Sequence, residues 1–237
     1  MHLNVIGIGA GNPAHLTLEA IAALQSSDCV VALDKGEAKA DLLGARQEII
    51  DRHAPGTPLI TVEDPPRDRN PADYQAEVER WHQARAQLLI DALPADGTCA
   101  FLVWGDPALY DSTLRIIERM RDLGLECSVR VIPGITAVQA LTSAHGIALN
   151  RIGEDIRITT GRALLTGPTT NVVVMLDGKA AWNDVPDAEI WWGAYLGTDK
   201  EVLRSGRVAE IGDALAEEKA ALREQHGWIM DIYLLRR

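Results

Sequence analysis

The sequence predicts an α/β protein with a mostly parallel N-terminal sheet and a mixed C-terminal sheet. Three observations carry that expectation. Through residue 132, short apolar runs alternate with amphipathic helical stretches, the rhythm of a parallel sheet whose strands are joined by crossover helices. Pro133-Gly134 then punctuates the chain. Beyond it, strand candidates follow one another through short loops with one long helix, the pattern of an α+β domain with a largely antiparallel or mixed sheet. The division falls at 1–133 and 134–237.

Taken in order, residues 3–8 (LNVIGI) are apolar and β-prone, and Gly9, Gly11, Asn12 and Pro13 end the run. Thr17 is placed to cap a helix on which Leu18, Ile21, Ala22 and Leu24 share a face. Cys29 to Leu33 reads as a second buried strand, ending at Asp34. Helix is expected from Leu42 to His53, strand from Pro58 to Val62, and an exposed charged loop at EDPPRDRNP. Residues 73–93 form the strongest helical pattern, with Tyr74, Val78, Trp81, Leu88 and Leu89 near one stripe. CAFLVW, residues 99–104, is a buried strand that stops at Gly105-Asp106-Pro107, with helix expected over 108–122 and strand over 128–132. In the second half, helices are expected at 136–145 and 208–225 and strands at 155–160, 171–176, 189–195 and 228–234.

Composition bounds the function. The 237 residues are 47% hydrophobic and 24% charged, as in an ordinary globular protein long enough to bury a sizeable core. A formal net charge of −11 argues against nucleic acid or a membrane surface as partner. Arginine far outnumbers lysine, which suits bidentate recognition of carboxylates in a local cleft. Cys29, Cys99 and Cys127 are odd in number and lie in apolar runs, so they read as reduced core residues of a cytoplasmic protein. No CxxC, HExxH or paired-histidine spacing predicts a metal site, and no leader or membrane-spanning stretch is apparent.

Gly7, Gly9 and Gly11, with Asp34 ending the second strand, sketch a dinucleotide fingerprint, but Asn12 stands at its third glycine and Pro13 disturbs the helix start. A glycine loop that merely permits a tight strand-to-helix crossing fits equally well. No GxSxG elbow or phosphate loop ending in GK[ST] appears. What recurs is a set of Gly/Pro loops at strand ends: GIGAGNP at 7–13, GDP at 105–107, PGITA at 133–137, TGRALLTGP at 160–168 and AYLG at 194–197. Strand carboxyl ends are where open α/β sheets bind ligands, although each loop taken singly is also an ordinary turn.

Together with Leu16-Thr17-Leu18 and Asp34, these loops resemble the tetrapyrrole (corrin/porphyrin) methylases over residues 3 to 200. IGIGAGNPAHLTLEA, FLVWGDPALYDST and the charged insertion 63–90 most resemble the branch that methylates a corrin precursor of cobalamin and releases a two-carbon fragment as acetate. The resemblance implies two α/β-type domains with S-adenosyl-L-methionine folded into the cleft between them, S-adenosylhomocysteine as product, a tetrapyrrole small molecule as substrate, and a homodimer. It implies cofactor contacts from Gly105, Asp106, Leu109 and Tyr110, with Asp106 facing the ammonium of the methionine part. Thr136 and Ala137 would contact the cofactor from the junction, and Met175, Leu176, Tyr195 and Leu196 would flank the adenine. Met175 also fits simple core filling. Gly9, Asn12, Arg67, Arg69, Arg115, Arg157 and Arg162 are the candidates for holding a carboxylate-rich substrate. Related uroporphyrinogen methylases offer an aspartate where this chain has Asn12, and Ala10 replaces their usual proline. Asp34 and Tyr110 are therefore the candidates for proton handling, although a loop carboxylate is also the ordinary reading of Asp34. A methylase acting at another ring carbon, an NAD(P)-linked oxidoreductase and a non-catalytic tetrapyrrole carrier are the alternatives.

Overall fold

The computed structural model describes residues 1–34, 36, 40–68 and 71–237. Its contacts divide the chain into two compact units, one of Met1–Gly9 with Pro13–Ile135, the other of Ala10–Asn12 with Thr136–Arg237. The division differs from a single cut at Pro133 chiefly in grouping Ala10–Asn12 with the second unit.

The first unit runs β1 (His2–Gly7), α1 (Leu18–Gln25), β2 (Cys29–Asp34), α2 (Ala40–His53), β3 (Leu59–Glu63), α3 (Tyr74–Ala92), β4 (Thr98–Val103), α4 (Thr113–Asp122) and β5 (Ser128–Ile132). All pairings are parallel, in the order β3-β2-β4-β1-β5. In β1, Leu3 to Gly7 are all buried, as a strand covered on both faces requires. Thr17 does cap α1, accepting from Ala20 N at 3.0 Å. The buried face of α1 is Ala20, Ala23 and Leu24, however, and Leu18 is 86% exposed. A spacing of three and four residues selects that face, and Leu18 and Ala22 fall off it.

A similar shift occurs on α3. Its buried residues are Arg85, Ala86 and Leu89, while Tyr74 and Leu88 are exposed. Arg85 occupies the stripe because Asp64 binds it bidentately, with Nε at 2.6 Å from Oδ1, and because its guanidinium lies 3.3 Å over the Trp81 ring. A fixed partner and an aromatic face make the buried cation tolerable. α4 begins at Thr113 rather than Ala108. The Asp106 carboxylate turns the chain by accepting from Ala108 N, Tyr110 sits at φ +52°, and Asp111 accepts from Thr113 N at 2.7 Å. Side chains that bond the backbone locally compete with the helix.

The second unit contains α5 (Ala137–His145), β6 (Arg157–Thr160), β7 (Asn171–Met175), β8 (Glu189–Ala194), β9 (Val202–Arg207), α6 (Val208–His226) and β10 (Asp231–Arg236). Its sheet has the order β6-β7-β10-β8-β9, parallel only between β6 and β7. β10 begins three residues later than the sequence pattern predicts, and β9 is a strand that the pattern does not predict. Trp182, Trp192 and Tyr233 are wholly buried at the centre of this core. Each such side chain contributes about 1.5–3 kcal/mol by burial.

Candidate cofactor and substrate site

In the first unit, β1, β4 and β5 end side by side, and glycines let their following loops touch backbone to backbone. A Cβ on Gly7 would lie 2.5 Å from Gly134 N and 2.9 Å from Gly105 O, so no larger residue fits. Gly105 N donates to Gly9 O at 2.7 Å, and Gly9 N donates to Gly105 O at 3.2 Å. Asp106 completes the lock: Oδ1 accepts from Ala108 N at 2.8 Å and Oδ2 from Gly134 N at 2.9 Å. Asp106 is thus a strap between the GDP and PGITA loops, each of its oxygens holding a backbone N–H group. Gly9 likewise uses its backbone within the unit rather than toward a substrate. Its N–H is engaged with Gly105 O and does not reach toward a pyrophosphate.

Beyond the strap, Leu109 is half-buried and Tyr110 is 44% exposed. Asp34, at the tip of β2, accepts from Gly36 N at 2.9 Å, the behaviour of a turn carboxylate. Below the tips of β2 and β4 lies a cavity of about 80 Å³ lined by Arg46, Arg85, Phe101 and Asp111 among others. Burial there holds the Arg46 guanidinium below its usual range, partly offset by Asp111. Arg115 is exposed on α4 and donates to Asp111 O at 2.7 Å. Arg67 stacks over Tyr74 and Trp81, with its guanidinium carbon 5.1 and 5.0 Å from the ring centres. Arg69 lies outside the described residues.

In the second unit, Gly11 and Asn12 pack against the turn after β8. A Cβ on Gly11 would overlap Leu196 O, and one on Gly197 would lie 2.7 Å from Asn12 N. Tyr195 and Leu196 are each 4% exposed. The Tyr195 hydroxyl donates to Trp228 O at 2.6 Å, and its ring meets His226 and Trp228 edge-on. Neither side chain flanks an open site: both face the core, and burial raises the Tyr195 phenol above its usual range. Thr136 caps α5 in a capping box with Gln139, and Ala137 opens the helix. Met175 is half-buried at the end of β7, and Leu176 is 65% exposed at φ +53°.

The two arginines of this unit separate. Arg157 does not face outward for a substrate, because its terminal nitrogens donate to Leu164 O at 2.7 Å, Pro168 O at 3.2 Å, and Ala163 O. It is a strut for the turn Gly161–Thr166. Arg162, within that turn, is exposed. Tyr110, Leu176, Ala180 and Tyr195 are the non-glycine residues at positive φ among those described. Three of these four, Tyr110, Leu176 and Tyr195, are candidate site residues from the sequence, and backbone strain commonly marks function.

A buried polar network lies in this unit that local sequence pattern does not reveal. Lys219 is paired with Asp231 at 2.7 Å, their side chains 8% and 5% exposed. Trp192 Nε1 also donates to Asp231, and Lys219 Nζ to Asp177 O. The Tyr233 hydroxyl donates to Asp177 Oδ2 at 2.8 Å. Burial raises the Asp231 carboxyl and the Tyr233 phenol above their usual ranges. A partial trace of it is Lys219, which falls between Leu215 and Leu222 on the apolar stripe of α6.

Among the described residues, no helix is long and apolar enough to cross a membrane. The family model of the Tetrapyrrole (Corrin/Porphyrin) Methylases matches residues 2–212. Precorrin-6A synthase [deacetylating] of Sinorhizobium sp is 47% identical over 98% of this chain and 94% of its own. The crystal structure of a cobalamin-synthesis-related protein (CobF) from Corynebacterium diphtheriae is 55% identical, covers 100% of this chain and 98% of its own, and superposes with a TM-score of 0.87. Uroporphyrin-III C-methyl transferase of Thermus thermophilus, solved with S-adenosylhomocysteine, is 18% identical over 100% of this chain and 92% of its own, with a TM-score of 0.60, and shares the fold. The chain belongs to the tetrapyrrole (corrin/porphyrin) methylases.

Proposed function

We propose that this chain is the S-adenosylmethionine-dependent C-methyltransferase of cobalamin biosynthesis that methylates precorrin-5 at C-1 and releases acetate, giving precorrin-6A. The observation that carries this reading is the near-full-length likeness to the Sinorhizobium precorrin-6A synthase. The residues present fit the cofactor's chemistry. A Cβ on Gly105 would meet nothing within 4 Å, so that loop has an open backbone face, and Leu176 offers an exposed apolar surface suited to adenine.

When bound, S-adenosylmethionine supplies a methyl group already made electrophilic by its sulfonium. The chain's task is then to hold the ring carbon in line with it at about 3–3.5 Å. Gly105, Leu109 and Tyr110 bind from the strapped loop, and Thr136, Ala137, Met175 and Leu176 from the second unit. Asp106, Tyr195 and Leu196 act from beneath, fixing the loops that carry those contacts. Tyr110 and Asp34 handle the proton removed from the macrocycle and orient the water that releases acetate. Arg67, Arg115 and Arg162, with Arg69, neutralise substrate carboxylates that a chain of net charge −11 would otherwise repel, and Asn12 orients a water. The protein acts in the cytoplasm as a homodimer.

The test is calorimetry followed by turnover. S-adenosylhomocysteine binds and NADH does not; methyl transfer to precorrin-5 then yields acetate. Methylation without acetate would identify a member acting at another ring carbon. Tetrapyrrole binding without turnover would identify a carrier.

A further inference from the structure

Leu176 combines two unfavourable features, an apolar side chain 65% exposed and a backbone at φ +53°. A left-handed non-glycine residue costs about 1–2 kcal/mol and persists only where its surroundings over-determine it. The next residue is firmly held. Asp177 is 6% exposed, and its carboxylate accepts from Lys179 N at 2.9 Å, Ala181 N at 2.7 Å and the Tyr233 hydroxyl at 2.8 Å. Its carbonyl accepts from Lys219 Nζ, which Asp231 holds in place. Gly161 abuts it as well, since a Cβ there would lie 2.6 Å from Asp177 Cγ.

We propose that Asp177, Tyr233 and Lys219 are positioning residues for the cofactor, holding the Met175–Asp177 corner in the conformation that presents Leu176 to the adenosyl group. The proposal rests on the methyltransferase reading given above. Buried ion pairs contribute little net stability compared with apolar residues of the same volume, so glue is a poor account of this network. Four donors from Lys179, Ala181, Tyr233 and Lys219 instead converge on one residue, and its immediate neighbour is strained and exposed.

The test is a double-mutant cycle read as S-adenosylhomocysteine affinity, with KM for S-adenosylmethionine and kcat measured alongside. Tyr233→Phe removes one hydrogen bond to Asp177 and should weaken S-adenosylhomocysteine binding about tenfold, which is about 1.4 kcal/mol. KM should rise by more than kcat falls. Leu176→Gly removes both the side chain and the strain, and in that background Tyr233→Phe should cost less than about a further twofold. Asn4→Ala removes buried bonds of the first unit, to Ala23 O and Ser27 Oγ, and should lower the unfolding midpoint without changing affinity. Effects of Tyr233→Phe and Leu176→Gly that multiply, or an Asn4→Ala that weakens binding equally, would overturn the proposal. If Tyr233→Phe does not fold, Gly161→Ala presses on Asp177 from the other side and reports the same displacement. Wild-type protein that fails to bind S-adenosylhomocysteine would sink the methyltransferase reading itself. Wild-type binding with an unaltered Tyr233→Phe variant would sink only the positioning role.

Discussion

Gly134→Ala is the most severe single-methyl change available in the first unit. The added Cβ would overlap Gly105 O and lie 2.8 Å from Gly7 Cα, where carbon atoms normally approach to about 3.5–4.0 Å. Relief cannot come from β1, which is paired on both sides, Gly7 with Val103 and Ile6 with Ile132. Nor can it come easily from Gly105, which exchanges two hydrogen bonds with Gly9. Overpacking costs about 1–3 kcal/mol. Displacing Gly134 N from Asp106 adds about 1.5–3 kcal/mol for a bond to a charged acceptor. The expected loss is therefore about 3–5 kcal/mol, measured as a shift in urea midpoint at constant slope. Gly105→Ala is the internal control. It meets nothing within 4 Å and suffers only its φ of +73°, so its loss should be about 1 kcal/mol. Equal losses for the two variants, or less than about 1 kcal/mol for Gly134→Ala, would refute the backbone-to-backbone account of the three loops.

Other consequences can be checked separately. Arg157→Ala should lower the melting temperature and open the 161–168 segment to proteolysis, because Ala163, Leu164 and Pro168 carbonyls lose their donor; tetrapyrrole affinity falling with no loss of stability would restore the substrate role. Arg162→Ala should weaken tetrapyrrole binding and spare S-adenosylhomocysteine binding, whereas equal loss of both would indicate a folding defect. Burial, then the charges of Arg85, Arg115 and Arg67, holds His82 below the usual imidazole range. The unfolded chain therefore takes up the proton first, and the contribution of neutral His82 is present above about pH 6.5 and lost as pH falls. His82→Gln should flatten that limb of the stability curve; an unchanged limb would contradict the assignment. Burial and the 3.1 Å contact with Cys29 push the Cys99 thiol up to about 12, so at pH 8 iodoacetamide should modify half-buried Cys127 first. Equal rates at all three cysteines would contradict it.

Much of the fold was legible because hydrophobic periodicity reports burial directly. The apolar runs at 3–8, 29–33 and 99–104 became three adjacent parallel strands, and the change of pattern after Pro133-Gly134 became the mixed sheet. β9 was not legible, since VLRSGR lies at the sheet edge with only partial burial and lacks an apolar run. α4 is shorter than the pattern predicts because Asp106 and Asp111 turn the chain through side-chain bonds that periodicity does not register. The candidate site divides in the same way. Loop positions were readable from glycine and proline, but the direction each side chain takes was not. Asp106, Arg157, Tyr195 and Leu196 stand where the motifs put them and turn inward, because backbone groups nearby needed partners or the core needed volume. The Asp177–Lys219–Tyr233 network joins residues far apart in sequence, and such pairing is not visible in any local pattern.

The most direct measurement is the stoichiometry of a single reaction. Purified protein is incubated with precorrin-5 and S-adenosylmethionine, and S-adenosylhomocysteine and acetate are quantified together. A deacetylating C-methyltransferase produces them in equal amounts, with neither formed when either substrate is omitted. S-adenosylhomocysteine without acetate, or no methyl transfer at all, would contradict the assignment.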